Sequence, residues 1–182
     1  MSGENTGPSG ARSVVPDVRS SAGGAGEPLD ELYREVVLDH HRRPRGREPL
    51  ARVDASARGF NPVCGDEVEV RVAVEGERLA GVQVTGRGCA ICTASGSMLA
   101  EATAGLGMPA VHRLAEGFRD VLHGRAVPPD VDLGDLEALR GVARFAVRVK
   151  CAMLPWVTLE DALRSHATGT AAGVASTEEE AP

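Results

Sequence analysis

The chain has 182 residues, of which 42% are hydrophobic and 25% are charged, a composition typical of a soluble globular protein with one folded unit. Its net charge is −6 and only 3% of its residues are aromatic, so it lacks the basic surface and stacking side chains of a nucleic-acid binder. It has neither an apolar run of the roughly 20 residues that a membrane span needs nor an apolar signal-peptide core, so we expect a cytoplasmic protein that binds no membrane.

Composition divides the chain into three parts. Residues 1–28 are rich in Ser, Gly, Pro and Ala without a hydrophobic period, and residues 167–182 have the same character and contain three consecutive glutamates. Such segments cannot bury enough apolar surface to fold, so we expect a disordered tail at each end. Residues 29–166 are therefore the predicted domain.

The first predicted element is an amphipathic helix that begins at Leu29 and ends before Pro44. Its apolar face consists of side chains at helical spacing: Leu29, Leu32, Tyr33, Val36, Val37 and His40. His40 and His41 are adjacent, and adjacent helical side chains point about 100° apart, so they are poorly placed to share an ion. We interpret them as favourable charges at the carboxyl end of the helix dipole.

A β-hairpin follows. Valines alternate with polar residues over 68–74, a turn lies at 75–77, and a second strand covers 79–84. Residues 52–58 are predicted to add a third strand to this antiparallel sheet.

The remaining predicted elements are helices. They cover Ala90–Ala104 and Pro109–His123, then a loop at 124–134, a helical stretch from Leu136, and a last helix that starts near Cys151 with Pro155 in its first turn. Strands first and helices afterwards predict an α+β fold, with a small antiparallel three-stranded sheet packed against several helices. His112, His123 and His166 are isolated along the chain, and we expect them to be solvated.

Three cysteines each follow a break in regular structure: Cys64, Cys89 and Cys151. A turn or a helix N-terminus favours the thiolate, which is the form that binds metal and attacks electrophiles. Asp66 can direct its carboxylate into the same volume as Cys64. Three thiolates and one carboxylate suit zinc or a small iron–sulfur cluster, although separate thiols remain the alternative.

Cys92 forms a Cys-x-x-Cys pair with Cys89, a spacing found in zinc knuckles and in thioredoxin-like redox pairs. The redox interpretation lacks its usual βαβ context. Cys92 either competes with Asp66 as the fourth ligand or occupies a small-residue position one turn into the helix. The sequence contains no P-loop, HExxH motif or Ser–His–Asp set.

Several ordered motifs resemble the SufU branch of the NifU/IscU-like iron–sulfur cluster assembly proteins. They are Leu32-Tyr33-Arg34 with Arg43-Pro44-Arg45-Gly46, Asn61-Pro-x-Cys64-Gly-Asp66, Gly86-x-Gly88-Cys89-Ala-Ile, Ala94-Ser95-x-Ser97-Met98 and Arg148-x-Lys150-Cys151-Ala-x-Leu154. The resemblance covers about 29–166. Lys150, where IscU-type proteins carry a histidine, and the long stretch 117–147 between the second and third cysteines favour the SufU branch.

The resemblance implies a function and a set of site residues. Cys64, Asp66, Cys89 and Cys151 would bind Zn²⁺, Cys64 would accept persulfide sulfur, and Arg148 and Lys150 would support the site or face a partner. The protein would be a sulfurtransferase that receives sulfur from a SufS-type, pyridoxal-phosphate-dependent cysteine desulfurase and relays it to a downstream scaffold. The alternative is a scaffold that binds a [2Fe–2S] cluster or iron at the same ligands. Cys92 departs from the small hydroxyl residue that is common in relatives.

Overall fold

The computed structural model describes residues 28–170 and 174–177. Its elements are the helix α1 (Pro28–Arg42), strands β1 (Ala55–Asn61), β2 (Asp66–Glu75) and β3 (Arg78–Arg87), helices α2 (Ala90–Thr103) and α3 (Met108–Leu122), the 3-10 helix η1 (Gly134–Arg144), the helix α4 (Ala146–Thr168) and the strand β4 (Val174–Ser176). The predicted N-terminal tail, apart from Pro28, lies outside the described residues. In the described part, every helix falls short of the length or the apolarity that a bilayer crossing requires.

The sheet has the strand order β3-β2-β1-β4, with β1, β2 and β3 antiparallel as predicted. In β2 the side chains of Val68, Val70, Val72 and Val74 are buried and alternate with more exposed ones, because successive side chains of a strand point to opposite faces. The strand predicted at residues 52–58 is β1, and it begins at Ala55 rather than at residue 52. Asp54 explains this start, since its carboxylate accepts the Val74 N–H over 2.8 Å in place of a strand carbonyl.

The fourth strand corrects the prediction of three strands and of a C-terminal tail from residue 167. The helix α4 continues to Thr168, and β4 pairs in parallel with β1. Ala175 and Thr177 are buried. Three residues are too few to show a hydrophobic period, and β4 is held by the edge of β1 rather than by a pattern of its own.

Helices α2 and α4 pack together against one face of the sheet and carry or adjoin three of the four cysteines. The buried Ser95 hydroxyl joins the two helices, because it donates to the Ala152 carbonyl over 2.6 Å and lies 3.2 Å from Trp156 Nε1. The Trp156 ring contacts Phe118 of α3, with centroids 5.1 Å apart. This contact network fixes the relative position of the helices that border the site.

The last helix starts earlier than predicted, at residue 146, and Pro155 lies in its interior rather than in its first turn. Proline cannot donate to the carbonyl four residues earlier, so Cys151 loses its usual helical partner there. Hydrophobic periodicity does not predict this start, because the first turn of the helix is exposed. Its backbone is nevertheless anchored, since the Arg148 N–H donates to the Phe145 carbonyl over 2.8 Å.

The helical stretch predicted from Leu136 is a 3-10 helix that packs against α1 and α3. Leu136, Leu139 and Val142 are buried at a spacing of three, which matches the three residues per turn of that geometry. His112, His123 and His166 are exposed, as expected.

His40 differs from its predicted role at the helix end. Its ring is almost fully buried, with Nδ1 2.8 Å from the Ser97 hydroxyl and Nε2 3.0 Å from an Asp135 carboxylate oxygen. The imidazole therefore links α1 to α2 and to η1.

Candidate metal centre

The hairpin between β1 and β2 positions the first two candidate ligands. Asn61 and Asp66 are cross-strand partners, and the Gly65 N–H closes the turn by donating to the Asn61 carbonyl over 2.8 Å. Gly65 has φ +72°, a conformation that glycine adopts without strain. The turn leaves Cys64 exposed at the tip of the hairpin and buries Asp66 at its base.

The N-terminus of α2 supplies the next group. Cys89 is the N-cap residue, and its N–H donates to Oδ1 of Asp66 over 2.8 Å. The second carboxylate oxygen of Asp66, Oδ2, is buried without a hydrogen-bond partner. A buried charged oxygen without a partner is costly, and a bound cation is the group that would satisfy it.

Cys151 reaches the same place from α4. Its Sγ lies 3.2 Å from Sγ of Cys64, and one ligand atom each from Cys64, Asp66 and Cys151 all lie within 4.8 Å of one another. The structure thus gathers three of the four ligands implied by the sequence. The Cys89 thiol lies outside that group, although its backbone is bonded to Asp66.

Two charged residues of α4 border the site. Arg148 is exposed, and interaction with Cys89 and then with Cys151 raises the pKa of its guanidinium. Lys150 is half-buried beside Cys151. The guanidinium therefore places a positive charge beside these two sulfurs.

Burial governs the chemistry of the thiols themselves. It raises the pKa of Cys64, with a further rise from the Asp66 carboxylate, and it raises the pKa of Cys151 strongly. Without a cation both thiols therefore hold their protons at neutral pH. A metal ion would reverse this preference by binding the thiolates.

Asn61 is a site residue that the sequence analysis did not single out. It is fully buried, its Nδ2 donates to Sγ of Cys151 over 3.7 Å, and its Oδ1 accepts the Val63 N–H over 3.1 Å. Its place in the Asn-Pro-x-Cys motif was the available signal, because an amide three residues before a ligand can orient the ligands around it.

Position 88 requires a glycine because its neighbours leave little space for a side chain. A Cβ at this position would lie 3.0 Å from Sγ of Cys92 and 3.3 Å from Cγ of Asp66. A larger residue would therefore push against the carboxylate that the site needs.

Cys92 lies behind the candidate ligands rather than among them. It is buried in a small cluster with Val68, Cys151 and Leu154, and burial, followed by the charge of Asp66, raises the pKa of its thiol. A neutral buried thiol is a small apolar side chain.

A second group of possible ligands lies at His40, Glu101 and Asp135. Both ring nitrogens of His40 already have partners in Ser97 and Asp135, so this group has a structural explanation.

The donor atoms at the hairpin tip fit zinc. Thiolate sulfur and carboxylate oxygen are ligands of this borderline-soft ion, and a cation would satisfy the partnerless Oδ2 of Asp66. The same set also suits iron held by cysteines.

Comparison with known families gives a match to the family described as NifU-like N terminal domain, over residues 32–152. The chain is 35% identical over 144 residues to the zinc-dependent sulfurtransferase SufU of Bacillus subtilis, covering 78% of this chain and 95% of that protein. It is 36% identical over 139 residues to the iron–sulfur cluster assembly scaffold protein IscU of Streptococcus pyogenes, covering 76% of this chain and 87% of that protein.

Solved structures share the fold. A putative iron–sulfur cluster assembly scaffold protein for the SUF system from Fervidobacterium islandicum matches with a TM-score of 0.67 and 28% identity, covering 76% of this chain and 99% of that one. A NifU-like protein from Brucella abortus also gives a TM-score of 0.67, at 19% identity, covering 84% of this chain and 99% of that one. The latter likeness concerns the fold alone.

Proposed function

The chain belongs to the NifU-like N-terminal domain family, and we propose that it is a zinc-dependent sulfurtransferase that accepts persulfide sulfur on Cys64. Its relatives place it more broadly among the iron–sulfur cluster assembly proteins of the SufU/IscU type. The sulfurtransferase proposal is more specific than this placement and depends on the geometry at the hairpin tip.

One observation carries the proposal. Sγ of the exposed Cys64 lies 3.2 Å from Sγ of the buried Cys151, next to the partnerless Oδ2 of Asp66. A sulfur acceptor has to be reachable from outside, whereas the groups that hold it in place do not. Cys64 meets the first requirement, and the other two residues supply the second.

Cys64, Asp66, Cys89 and Cys151 would hold the zinc. Bound there, zinc supplies a charge that keeps thiols deprotonated and ordered at neutral pH. Asn61 orients Cys151 through its hydrogen bond.

The transfer itself is a thiolate–persulfide exchange. The Cys64 thiolate attacks the outer sulfur of the donor's persulfide, so that a new S–S bond forms at Cys64 and the donor's own S–S bond breaks. The donor cysteine leaves as a thiolate, and Cys64 is left carrying the persulfide with its proton. The guanidinium of Arg148 stabilises negative charge on the neighbouring sulfurs during this exchange.

The sulfur donor in this proposal is a pyridoxal-phosphate-dependent cysteine desulfurase of the SufS type, and the receiver is a downstream iron–sulfur scaffold. Exchange needs reduced thiols, so we place the reaction in a reducing compartment, the cytoplasm. Lys150 is proposed as a residue that faces the partner, since it lies half-buried at the border of the site.

A scaffold that assembles a [2Fe–2S] cluster at the same ligands is the second candidate. The IscU relative of Streptococcus pyogenes is about as similar to this chain as the SufU relative, and Cys92 places a further sulfur beside the ligand set. Protein purified without air distinguishes the two. A colourless protein with about one zinc per chain favours transfer, and a brown protein with iron and sulfide favours the scaffold.

A cysteine desulfurase assay tests the proposal. Zinc-loaded protein should stimulate the enzyme and become persulfidated, and metal-stripped protein should do neither. A zinc-loaded protein that gives no stimulation and gains no sulfur would contradict the proposal.

A further inference from the structure

Two cysteine sulfurs are in contact at the candidate metal centre. Sγ of Cys64 and Sγ of Cys151 lie 3.2 Å apart, whereas a disulfide bond has a length of about 2.05 Å. A movement of about 1 Å therefore brings the two sulfurs to bonding distance. Cys64 is exposed at the tip of the hairpin, so core packing around its side chain does not oppose that movement.

Cys151 is the thiol that is best placed to react with a group bound to Cys64. Among the described residues, the ligand atoms that lie within 4.8 Å of one another include both of these sulfurs, but neither Cys89 nor Cys92 belongs to the group. The Cys151 sulfur also accepts a hydrogen bond from the buried Asn61 amide over 3.7 Å, which holds the sulfur in position. The geometry thus selects one partner for Cys64.

We propose that Cys151 is a resolving thiol: it attacks the inner sulfur of a persulfide on Cys64, releases the outer sulfur as hydrosulfide and leaves a Cys64–Cys151 disulfide. This inference rests on the proposed function, which places the persulfide on Cys64. It adds an activity to the same site, the release of inorganic sulfide, and specifies the chemical form in which the sulfur leaves.

The step balances without an external oxidant or reductant. The Cys151 thiolate supplies the electron pair for a new S–S bond to Cys64, and the bond between Cys64 and the outer sulfur breaks. The outer sulfur leaves as HS⁻ with both electrons of the broken bond. Counted as sulfane sulfur it gains two electrons, and the two cysteine sulfurs lose one electron each.

The burial of the two cysteines gives the geometry that this attack needs. Displacement at a sulfur atom proceeds in line, with the nucleophile and the leaving group on opposite sides. Cys151 is fully buried, so it reaches the Cys64 sulfur from the protein interior. The exposure of Cys64 places the outer sulfur on the solvent side, where hydrosulfide departs freely.

The step belongs to the metal-free chain. A Cys151 thiolate that binds zinc shares its electron pair with the metal and is a weak nucleophile, so the zinc-loaded chain keeps its persulfide. Loss of the metal leaves that thiolate beside the Cys64 persulfide. The site therefore stores sulfur when it is metal-bound and releases sulfide when it is not.

The product of the step requires a further reaction. A chain with a Cys64–Cys151 disulfide has no free thiol at either position, so it neither binds zinc fully nor accepts sulfur again. A dithiol has to reduce it by thiol–disulfide exchange, and the exposed Cys64 sulfur is the one that such a reductant reaches. The reaction class that follows sulfide release is thus disulfide reduction.

Sulfide release is tested without air on the full chain. The zinc-loaded protein is treated with inorganic polysulfide to place a persulfide on Cys64, freed of excess reagent and divided, and a chelator is added to one half. We expect the chelated half to release about one sulfide per persulfidated chain and to give linked Cys64 and Cys151 peptides in mass spectrometry. The half that keeps its zinc should release sulfide at least about tenfold more slowly.

Two serine variants locate the attacking sulfur. Cys151→Ser keeps the size of the side chain but removes the nucleophile, so its Cys64 persulfide should persist after chelation, with release slowed by about tenfold or more. Cys92→Ser is the matched control, because Cys92 is buried in the same cluster, and it should release sulfide as the wild type does. The wild type is informative without any variant. A link from Cys64 to Cys89 or Cys92, or a persulfide that persists after chelation, would overturn the proposal.

The source of the sulfur separates this proposal from the proposed function. If a cysteine desulfurase delivers no sulfur to Cys64 but the polysulfide-loaded chain releases sulfide and forms the Cys64–Cys151 link, the proposed function fails and the resolving role is supported. If the desulfurase delivers sulfur and the persulfide persists after chelation, the proposed function is supported and the resolving role is overturned.

Discussion

The buried amide of Asn61 donates a hydrogen bond from Nδ2 to Sγ of Cys151 over 3.7 Å, across 90 residues of chain. Through its Oδ1 the same side chain holds the Val63 N–H at the tip of the hairpin. Asn61 therefore couples the position of Cys64, which follows Val63, to that of Cys151. Partners of this kind orient metal ligands.

Replacement of Asn61 by Ala should lower zinc affinity by about 10–100-fold, the range typical of residues that orient ligands. The measurement is a competition titration with a chelator. Gln83→Ala is the matched control, because Gln83 is also a buried amide but donates to the Arg47 carbonyl away from the site. An unchanged affinity in Asn61→Ala would contradict the role assigned to this amide.

Replacement of Asp66 by Asn should separate metal binding from folding. An amide keeps an oxygen for the Cys89 N–H but loses the charge that Oδ2 offers to a cation. We expect a larger loss of zinc affinity than in Asn61→Ala. We also expect metal-free protein to unfold at the same or higher urea concentration, since a buried unpaired charge has been removed.

A purely structural carboxylate would give the opposite pattern for that variant. Zinc affinity would stay the same, and the metal-free protein would unfold at lower urea concentration.

Zinc binding should release protons. Burial raises the thiol pKa values of Cys64 and Cys151, so without metal both thiols are protonated at pH 7 and must lose those protons to bind. We expect this pair to release about two protons per zinc and the affinity to fall up to about 100-fold per pH unit as the pH is lowered. A zinc titration in weak buffer with a pH indicator measures the release, and Cys151→Ser should release about one proton fewer.

The same pKa directions set the stability of the metal-free fold. A thiol whose pKa is raised in the folded state leaves stability intact below the unfolded pKa, about 8.5, and lowers stability as the pH rises from there toward the folded value.

Zinc affinity that is independent of pH between about 6 and 8 would contradict the assignment of these thiols as ligands.

The buried His40 should matter for stability and its neighbour should not. His40→Ala removes two hydrogen bonds and leaves a cavity between α1, α2 and η1, so we expect a loss of about 2–4 kcal/mol in the free energy of unfolding. The exposed His41→Ala should change it by less than about 0.5 kcal/mol. Urea denaturation of the metal-free protein measures both, and equal losses would refute the structural role of His40.

Periodicity predicted the elements that bury a regular face. The alternating valines of β2 and the apolar stripe of α3 both lie where the sequence placed them, because burial on one side imposes a period on the sequence. The first turn of α4 and the three residues of β4 bury too little for such a signal. The first turn of α4 is held by backbone hydrogen bonds to Phe145, which do not depend on hydrophobicity. The strand β4 is held by the edge of β1, which is distant in sequence.

The candidate site was predictable in part for a different reason. Cysteines at structural breaks, with Asp66 beside Cys64, indicated a shared centre, and the structure brings Cys64, Asp66 and Cys151 together. The hydrogen-bond partner of Asn61 was not predictable from spacing, since Cys151 arrives from the last helix. The same holds for His40, whose partners Ser97 and Asp135 lie 57 and 95 residues away.

The most direct test of the account is mass spectrometry of the zinc-loaded protein after reaction with a cysteine desulfurase and free cysteine. We expect the peptide that contains Cys64 to gain the mass of one sulfur atom, Cys64→Ser to gain none, and Cys92→Ser to react as the wild type does. Sulfur found on Cys92 or Cys89 while Cys64 stays unmodified would contradict the assignment of Cys64 as the sulfur acceptor.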